Sequence, residues 1–302
     1  LLDTTNSRRY YSEMWLSSCY MQLGKIKEAQ AISPDYYMVP PIDRRLTVES
    51  DRFSELSNMF AQAGNLERAL EYALRCADIE KQVAGKEHIW YGNSTIIIGN
   101  LYYALGDSIN AEENYLINKN ICKHTYGEYS ERYVDALLSL ASVNTDFSMK
   151  DGLDKATRYL DEAYSIAHKR YPLLEAQIVN QQSVIAFRNK NYEQAKTLMM
   201  QALSLCELAE GKTSNNYEIL LSNTIDLYQM FGQYDEAITL GQDFLEACNQ
   251  ANRSDSIPAF IMVKISQANI AKGDINNALV QIEKAENIMR QYGTAKVDYI
   301  NI

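Results

Sequence analysis

One small turn is written repeatedly along this chain, and it constrains the fold more than any other feature. Glycine is followed five residues later by alanine in GKIKEA (Gly24, Ala29), GNLERA (Gly64, Ala69), GDSINA (Gly106, Ala111), GQYDEA (Gly232, Ala237) and GDINNA (Gly273, Ala278). Two further copies are degraded. Lys190 stands in the glycine place before Ala195, and Ala156 follows a short insertion around NTDFSMKDG. The alanines then fall at 29, 69, 111, 156, 195, 237 and 278, in steps of 40, 42, 45, 39, 42 and 41. A second marker gives the same period independently. Gly85, Gly127, Gly211 and Gly293 are each followed six residues later by a tyrosine, namely Tyr91, Tyr133, Tyr217 and Tyr299, and Pro172 stands near the place of the missing member. A spacing near 42 held through seven copies is an internal repeat.

Each copy reads as two helices. The first runs from just after the tyrosine to the loop glycine, as in NSTIIIGNLYYAL, and the second opens around the alanine, as in NAEENYLINKNICKHTY. Glycine supplies the positive φ a helix end needs, and Asn65 or Asp107 after it can cap the next helix. Small residues recur down the first helices (Ser17, Ser57, Gly99, Ala141, Ser183, Ser266), preceded by Leu16, Leu56, Ile98, Leu140 and Ile265. Small beside large at a fixed register lets neighbouring helices approach closely. Each hairpin buries its apolar face only against the next, so the predicted fold is all-α, a solenoid of about seven helical hairpins. The approximate repeats are 10–49, 50–91, 92–133, 134–175, 176–217, 218–258 and 259–299, forming one array over 1–302. Pro34, Pro40 and Pro41 make the first repeat degenerate. YGTAKVDYINI begins an eighth that stops within itself, and the chain starts in mid-pattern without a methionine, so a fragment of a longer chain is expected.

At this point the residues resemble tetratricopeptide repeats. The pattern of small residue, aromatic, glycine and alanine is carried by Gly99, Tyr102, Gly106 and Ala111, with Phe60 and Tyr228 in the aromatic place of other repeats. The long period and the glycine between repeats, as in GKEHIWYG, are similar to the kinesin-light-chain variety, found in bacteria beside caspase-like CHAT domains. The resemblance covers nearly the whole chain. It implies a right-handed solenoid whose first helices line a concave groove, and a role as a protein-interaction scaffold. It leaves two other readings open: the regulatory or substrate-recognition arm of a CHAT protease lying C-terminal to this segment, or the sensory domain of a signalling protein.

Composition narrows the partners. The formal net charge is −10, which argues against binding a nucleic-acid duplex or an anionic membrane surface. No apolar run is long enough to span a bilayer; IPAFIMVKI is short and carries Lys264. The odd set of five cysteines, Cys19, Cys76, Cys122, Cys206 and Cys248, has neither disulfide-framework nor zinc spacing. Unpaired thiols lean towards a reducing compartment, the cytoplasm. Cys122, Cys206 and Cys248 each follow their repeat's alanine by eleven residues, which suggests a packing column. His88 falls in a turn, and His124 and His168 near second-helix ends, where a cation suits the macrodipole. There is no metalloprotease, nucleophile-elbow or Walker motif. We therefore expect no catalytic residue, metal or cofactor in this segment.

Stepping by 42 along the first helices reads out the columns that would line the groove. One is Asn58, Asn100, Ser142, Val184, Asp226 and Gln267; a second is Ser54, Ile96, Leu138, Asn180, Ser222 and Val263. A third is Ala61, Tyr103, Thr145, Phe187, Gln229 and Ile270; a fourth is Asp51, Asn93, Asp135, Gln177, Ile219 and Phe260. From these, Asn58, Asn93, Ile96, Asn100, Tyr103, Asp135, Leu138, Ser142, Asn180, Phe187 and Asp226 are the candidate contacts for a peptide. Asn58 and Asn100 suit peptide groups because an amide both donates and accepts. The columns hold no lysine or arginine, so an acidic C-terminal tail is a poor ligand. An extended segment with apolar side chains, and a basic residue for Asp51, Asp135 or Asp226, fits better.

Overall fold

The computed structural model describes residues 44–147, 151–253 and 255–291, together with Leu16 and Tyr20. Ala29, the three early prolines, Cys19, and the final Gly293 and Tyr299 lie outside the described residues. Among those described there are twelve α-helices and no strand. The chain divides into two compact units, Leu1–Gly127 and Glu128–Ile302. The first unit holds α1 (Arg44–Gln62), α2 (Leu66–Val83), α3 (Ile89–Ala104) and α4 (Ser108–Tyr126). The second holds α5 (Glu131–Asp146), α6 (Gly152–Ala167), α7 (Pro172–Arg188), α8 (Tyr192–Glu210), α9 (Asn215–Met230), α10 (Tyr234–Gln250), α11 (Ile257–Lys272) and α12 (Ile275–Gln291).

Both sequence markers are turn chemistry. In the hairpin turns the backbone passes through the left-handed region, at Gly106 with φ +82° for example, and in three of the described turns the next residue, Asn65, Asp107 or Asp274, caps the second helix. Asp107 accepts from the Asn110 amide at 3.1 Å, and Asn65 accepts from the Arg68 amide at 3.2 Å. The six-residue step from glycine to tyrosine is a left-handed glycine, then an N-cap three residues on, then a tyrosine three further. Ser130 caps the Tyr133 amide at 3.3 Å and Ser214 the Tyr217 amide at 3.1 Å. His88 fills the same cap place and accepts from the Trp90 amide through Nδ1 at 3.2 Å. Burial lowers the His88 pKa, which keeps the imidazole neutral and able to accept.

Where glycine is missing, other residues take the strained backbone. Lys190 has φ +63° and Lys169 φ +59°. The Lys169 turn is held by the buried Glu175 carboxylate, which accepts the Lys169 amide at 3.0 Å and pairs with His168 Nδ1 at 2.8 Å. Pro172 opens α7, where its missing N–H has no helical partner to lose.

The anchoring alanines sit at the helix crossings. Ala69, Ala111, Ala156, Ala195, Ala237 and Ala278 are all buried, none more than 3% exposed. The small first-helix column meets them: the Ser57 and Ser266 hydroxyls donate to the carbonyls of Ala69 and Ala278, each at 2.9 Å. Gly99 serves a closer approach, since a Cβ there would stand 2.6 Å from Tyr115 Cε1. In the hairpin of α9 and α10 the arrangement inverts: the register places of Gly99 and Tyr115 are taken by the bulky Ile225 and by Gly241, against which Ile265 of α11 packs. In the first unit Ala69, Ala73 and Ala77 form a core with Ile98 and Leu101. The second unit has one core around Leu137, Leu160 and Ile178 and another around Leu221, Phe244 and Ile261.

Candidate functional site

In the first unit the predicted residues lie on α1 and α3. Asn58, Asn93 and Asn100 are exposed, and Ile96 and Tyr103 are half-buried beside them. Asn100 is held from behind. Tyr115, on α4, is 4% exposed, and its hydroxyl donates to Asn100 Oδ1 at 2.8 Å. The ring reaches that position because Gly99 has no side chain to block it. Burial pushes the Tyr115 phenol up to about 12, so it remains a protonated donor.

In the second unit the predicted residues separate into distinct environments. Asp135 is exposed on α5, yet desolvation by the surrounding protein raises its pKa, with Arg132 opposing and Glu131 adding to the rise. Leu138 is buried, at 6% exposure. Gln181 of α7 donates to the Leu138 carbonyl at 3.4 Å and to the Ser142 hydroxyl at 2.9 Å, tying α7 to α5. The side-chain oxygens of Asn180 and Gln181 are buried and meet no donor. Phe187 belongs to an aromatic trio, 5.5 Å from Tyr192 and 6.1 Å from Phe231 between ring centroids, with Tyr192 and Phe231 5.2 Å apart.

Asp226 does not stand alone. Lys264 of α11 bonds both its carboxylate oxygens, at 2.7 and 2.8 Å. The ammonium therefore serves the role a ligand's basic residue was expected to fill. The columns passed over Lys264 because they step by 42, whereas it follows Asp226 by 38. A repeat less one helical turn was the signal available in the sequence. Around this pair, Ile219 and Ile270 are more than half exposed, and Phe260 is 38% exposed. The first-helix wall of α9 and α11 thus combines apolar side chains with one internally neutralised ion pair.

Cys76, Cys122, Cys206 and Cys248 are all buried and unbridged. Burial pushes the thiols of Cys76, Cys206 and Cys248 up, which keeps them protonated and poorly nucleophilic. Among the described residues, no three His, Cys, Asp or Glu side chains are grouped to hold a metal ion. No described helix is long and apolar enough to cross a membrane.

Antiparallel hairpins stacked at a constant register define a helical repeat protein. Family models of the tetratricopeptide repeat match residues 51–89 and 174–250. The chain carries tetratricopeptide repeats over these residues. No curated protein sequence matches it. Among solved structures, BtubC (BKLC) from P. vanneervenii is similar with a TM-score of 0.59 at 19% identity, covering 76% of this chain and 93% of that one. A Rap protein complexed with competence and sporulation factor has a TM-score of 0.56 at 10% identity, covering 95% and 98%. A tetratricopeptide repeat protein from Parabacteroides merdae has a TM-score of 0.52 at 14% identity, covering 93% of each. These likenesses establish the fold, one that serves as a protein-interaction scaffold in general.

Proposed function

We propose that this segment is a non-enzymatic peptide-binding module, and that its first unit holds an extended segment of a partner protein against α1 and α3. One observation carries the reading. Asn58 and Asn100 occupy the same register place on successive first helices and are both exposed. Successive first helices stand at least one helix diameter, about 10 Å, apart. An extended strand advances about 3.3 Å per residue, so the two amides match peptide groups about three or more residues apart. Main-chain recognition of this kind accepts many sequences, with Ile96 and Tyr103 supplying apolar contact beside the amides.

The experiment is a titration with a peptide selected on the chain from a random display library. Removing one amide leaves a desolvated peptide group without its partner, costing about 1–3 kcal/mol. Asn100→Ala should therefore bind about tenfold to a hundredfold more weakly. Glu113→Ala, an exposed change on α4, should bind as the wild type does. If Asn100→Ala and the wild type bind equally, the ligand lies elsewhere and the assignment to α1 and α3 is wrong.

A further inference from the structure

We infer that Tyr115 makes Asn100 a one-way reader, one that offers its amide N–H to a carbonyl of the bound segment. This rests on the reading of α1 and α3 as a peptide-binding wall.

A free asparagine side chain can donate at one end and accept at the other. Asn100 is not free in this sense, because the Tyr115 hydroxyl takes one acceptor site of its oxygen at 2.8 Å and so fixes which way the amide faces. The direction of that bond follows from the phenol. Its oxygen shares a lone pair with the ring and accepts poorly, while its O–H donates well. The two ends of a planar amide diverge, so drawing the oxygen back towards α4 leaves Nδ2 as the outer end. The ligand atom that meets it must be an acceptor, and in an extended peptide that atom is a backbone carbonyl.

The neighbouring repeats show that this is a local device. The register place of Tyr115, four residues after the anchoring alanine, is held by Ala73, Leu160, Met199, Gly241 and Ile282 in the other described hairpins. None of these carries a hydroxyl. The place of Gly99 is held by Ser57, Ala141, Ser183, Ile225 and Ser266. Tyrosine, the glycine that admits its ring and the asparagine that meets its hydroxyl occur together in one repeat alone. Phenylalanine would fill the same space against Gly99; only the hydroxyl reaches Asn100. Asn58, with Ala73 behind it, keeps both functions, so the two amides present different chemistry to one strand.

The test uses the intact chain and the library-selected peptide, with Asn100→Ala, Tyr115→Phe and the double variant. Circular dichroism checks that each remains folded. Tyr115→Phe should weaken binding about threefold to tenfold, the size of one ordinary hydrogen bond. In the Asn100→Ala background the same change should cost nothing more, because the hydroxyl acts only through that amide. Replacing peptide N–H groups of the ligand by ester oxygens, one at a time, should abolish the Asn100 contribution at no position and reduce it only at the ester whose weaker carbonyl that side chain reads. If Asn100→Ala binds weakly but Tyr115→Phe binds as the wild type, the inference fails and the binding wall stands. An equal cost of Tyr115→Phe with and without Asn100 also overturns it, because the hydroxyl is then structural. A library that yields no binder, or an Asn100→Ala chain that binds normally, overturns both.

Discussion

Alanine at position 241 measures how tightly the second unit is stacked. Gly241 is buried inside α10, and a Cβ added there would stand 2.6 Å from Ile265 Cγ1, 2.8 Å from Ile265 Cδ1 and 3.4 Å from Ile261 Cγ2. Two effects oppose each other. Glycine inside a helix is less favourable than alanine by about 1 kcal/mol, so propensity alone predicts a gain. Overpacking a filled core costs about 1–3 kcal/mol. The shorter contact is with Cγ1, next to the backbone of a β-branched residue whose χ1 is stiff, and both isoleucines are fully buried. The side chain has little room to turn away, so α11 itself must shift. Gly241→Ala should therefore lose about 1–2 kcal/mol net, read from the midpoint of urea unfolding by circular dichroism. Ile265→Ala alone should lose about 2–5 kcal/mol, and the double variant less than the sum, because the new methyl occupies vacated space. A stabilised Gly241→Ala chain, or strict additivity in the double variant, would refute the close crossing.

Two further perturbations follow from backbone strain and burial. Lys190→Gly relieves a left-handed backbone at φ +63°, which costs an ordinary residue about 1–2 kcal/mol, against about 0.5–1 kcal/mol of extra chain entropy in the unfolded state; the urea midpoint should rise, and a fall would show that the Lys190 side chain contributes more than its backbone loses. Glu80 accepts the Ser94 hydroxyl at 2.5 Å, and burial raises its carboxyl pKa, with Asp51 adding to the rise and the Ser94 and Cys76 bonds opposing it. A folded pKa above the unfolded value means that stability declines as pH rises between the two. Glu80→Gln, which keeps an acceptor for Ser94, should thus gain on the wild type from about pH 4 upwards and hold that gain at neutrality; a pH-independent difference between the two unfolding curves would contradict the assignment.

The fold was legible in the sequence because both markers report backbone requirements that recur along the array. A left-handed residue, most often glycine, makes the turn, Asn65, Asp107 and Asp274 cap, and alanine fills the crossing. Ser130 and Ser214 explain why the tyrosine trails its glycine by six. The turn at Lys169 was harder to foresee, because its support, Glu175, lies beyond the turn and is visible only once α7 folds back. The groove columns were read less completely for the same reason. A step of 42 brings equivalent places into line but says nothing of what packs between them. Leu138 shares its register with the half-buried Ile96, yet it is buried beside the Gln181 contact. Asp226 looked available for a ligand's cation, yet Lys264 already meets it across a shorter step.

The contacts that distinguish one repeat from the next lie off the period. Tyr115 reaches Asn100 over fifteen residues, within a single hairpin, where Gly99 opens the way. Lys264 reaches Asp226 over 38, between hairpins. Both place a polar group on a first helix under the control of a neighbouring helix, and both change what that group can offer. One amide is turned by its bond to Tyr115, and one carboxylate is neutralised. A repeat array gives every copy the same scaffold, so its selectivity must come from departures of this kind. In this chain those departures make the first-helix faces of the two units chemically unlike: one amide turned by a tyrosine on α3, and apolar side chains around a closed ion pair on α9 and α11.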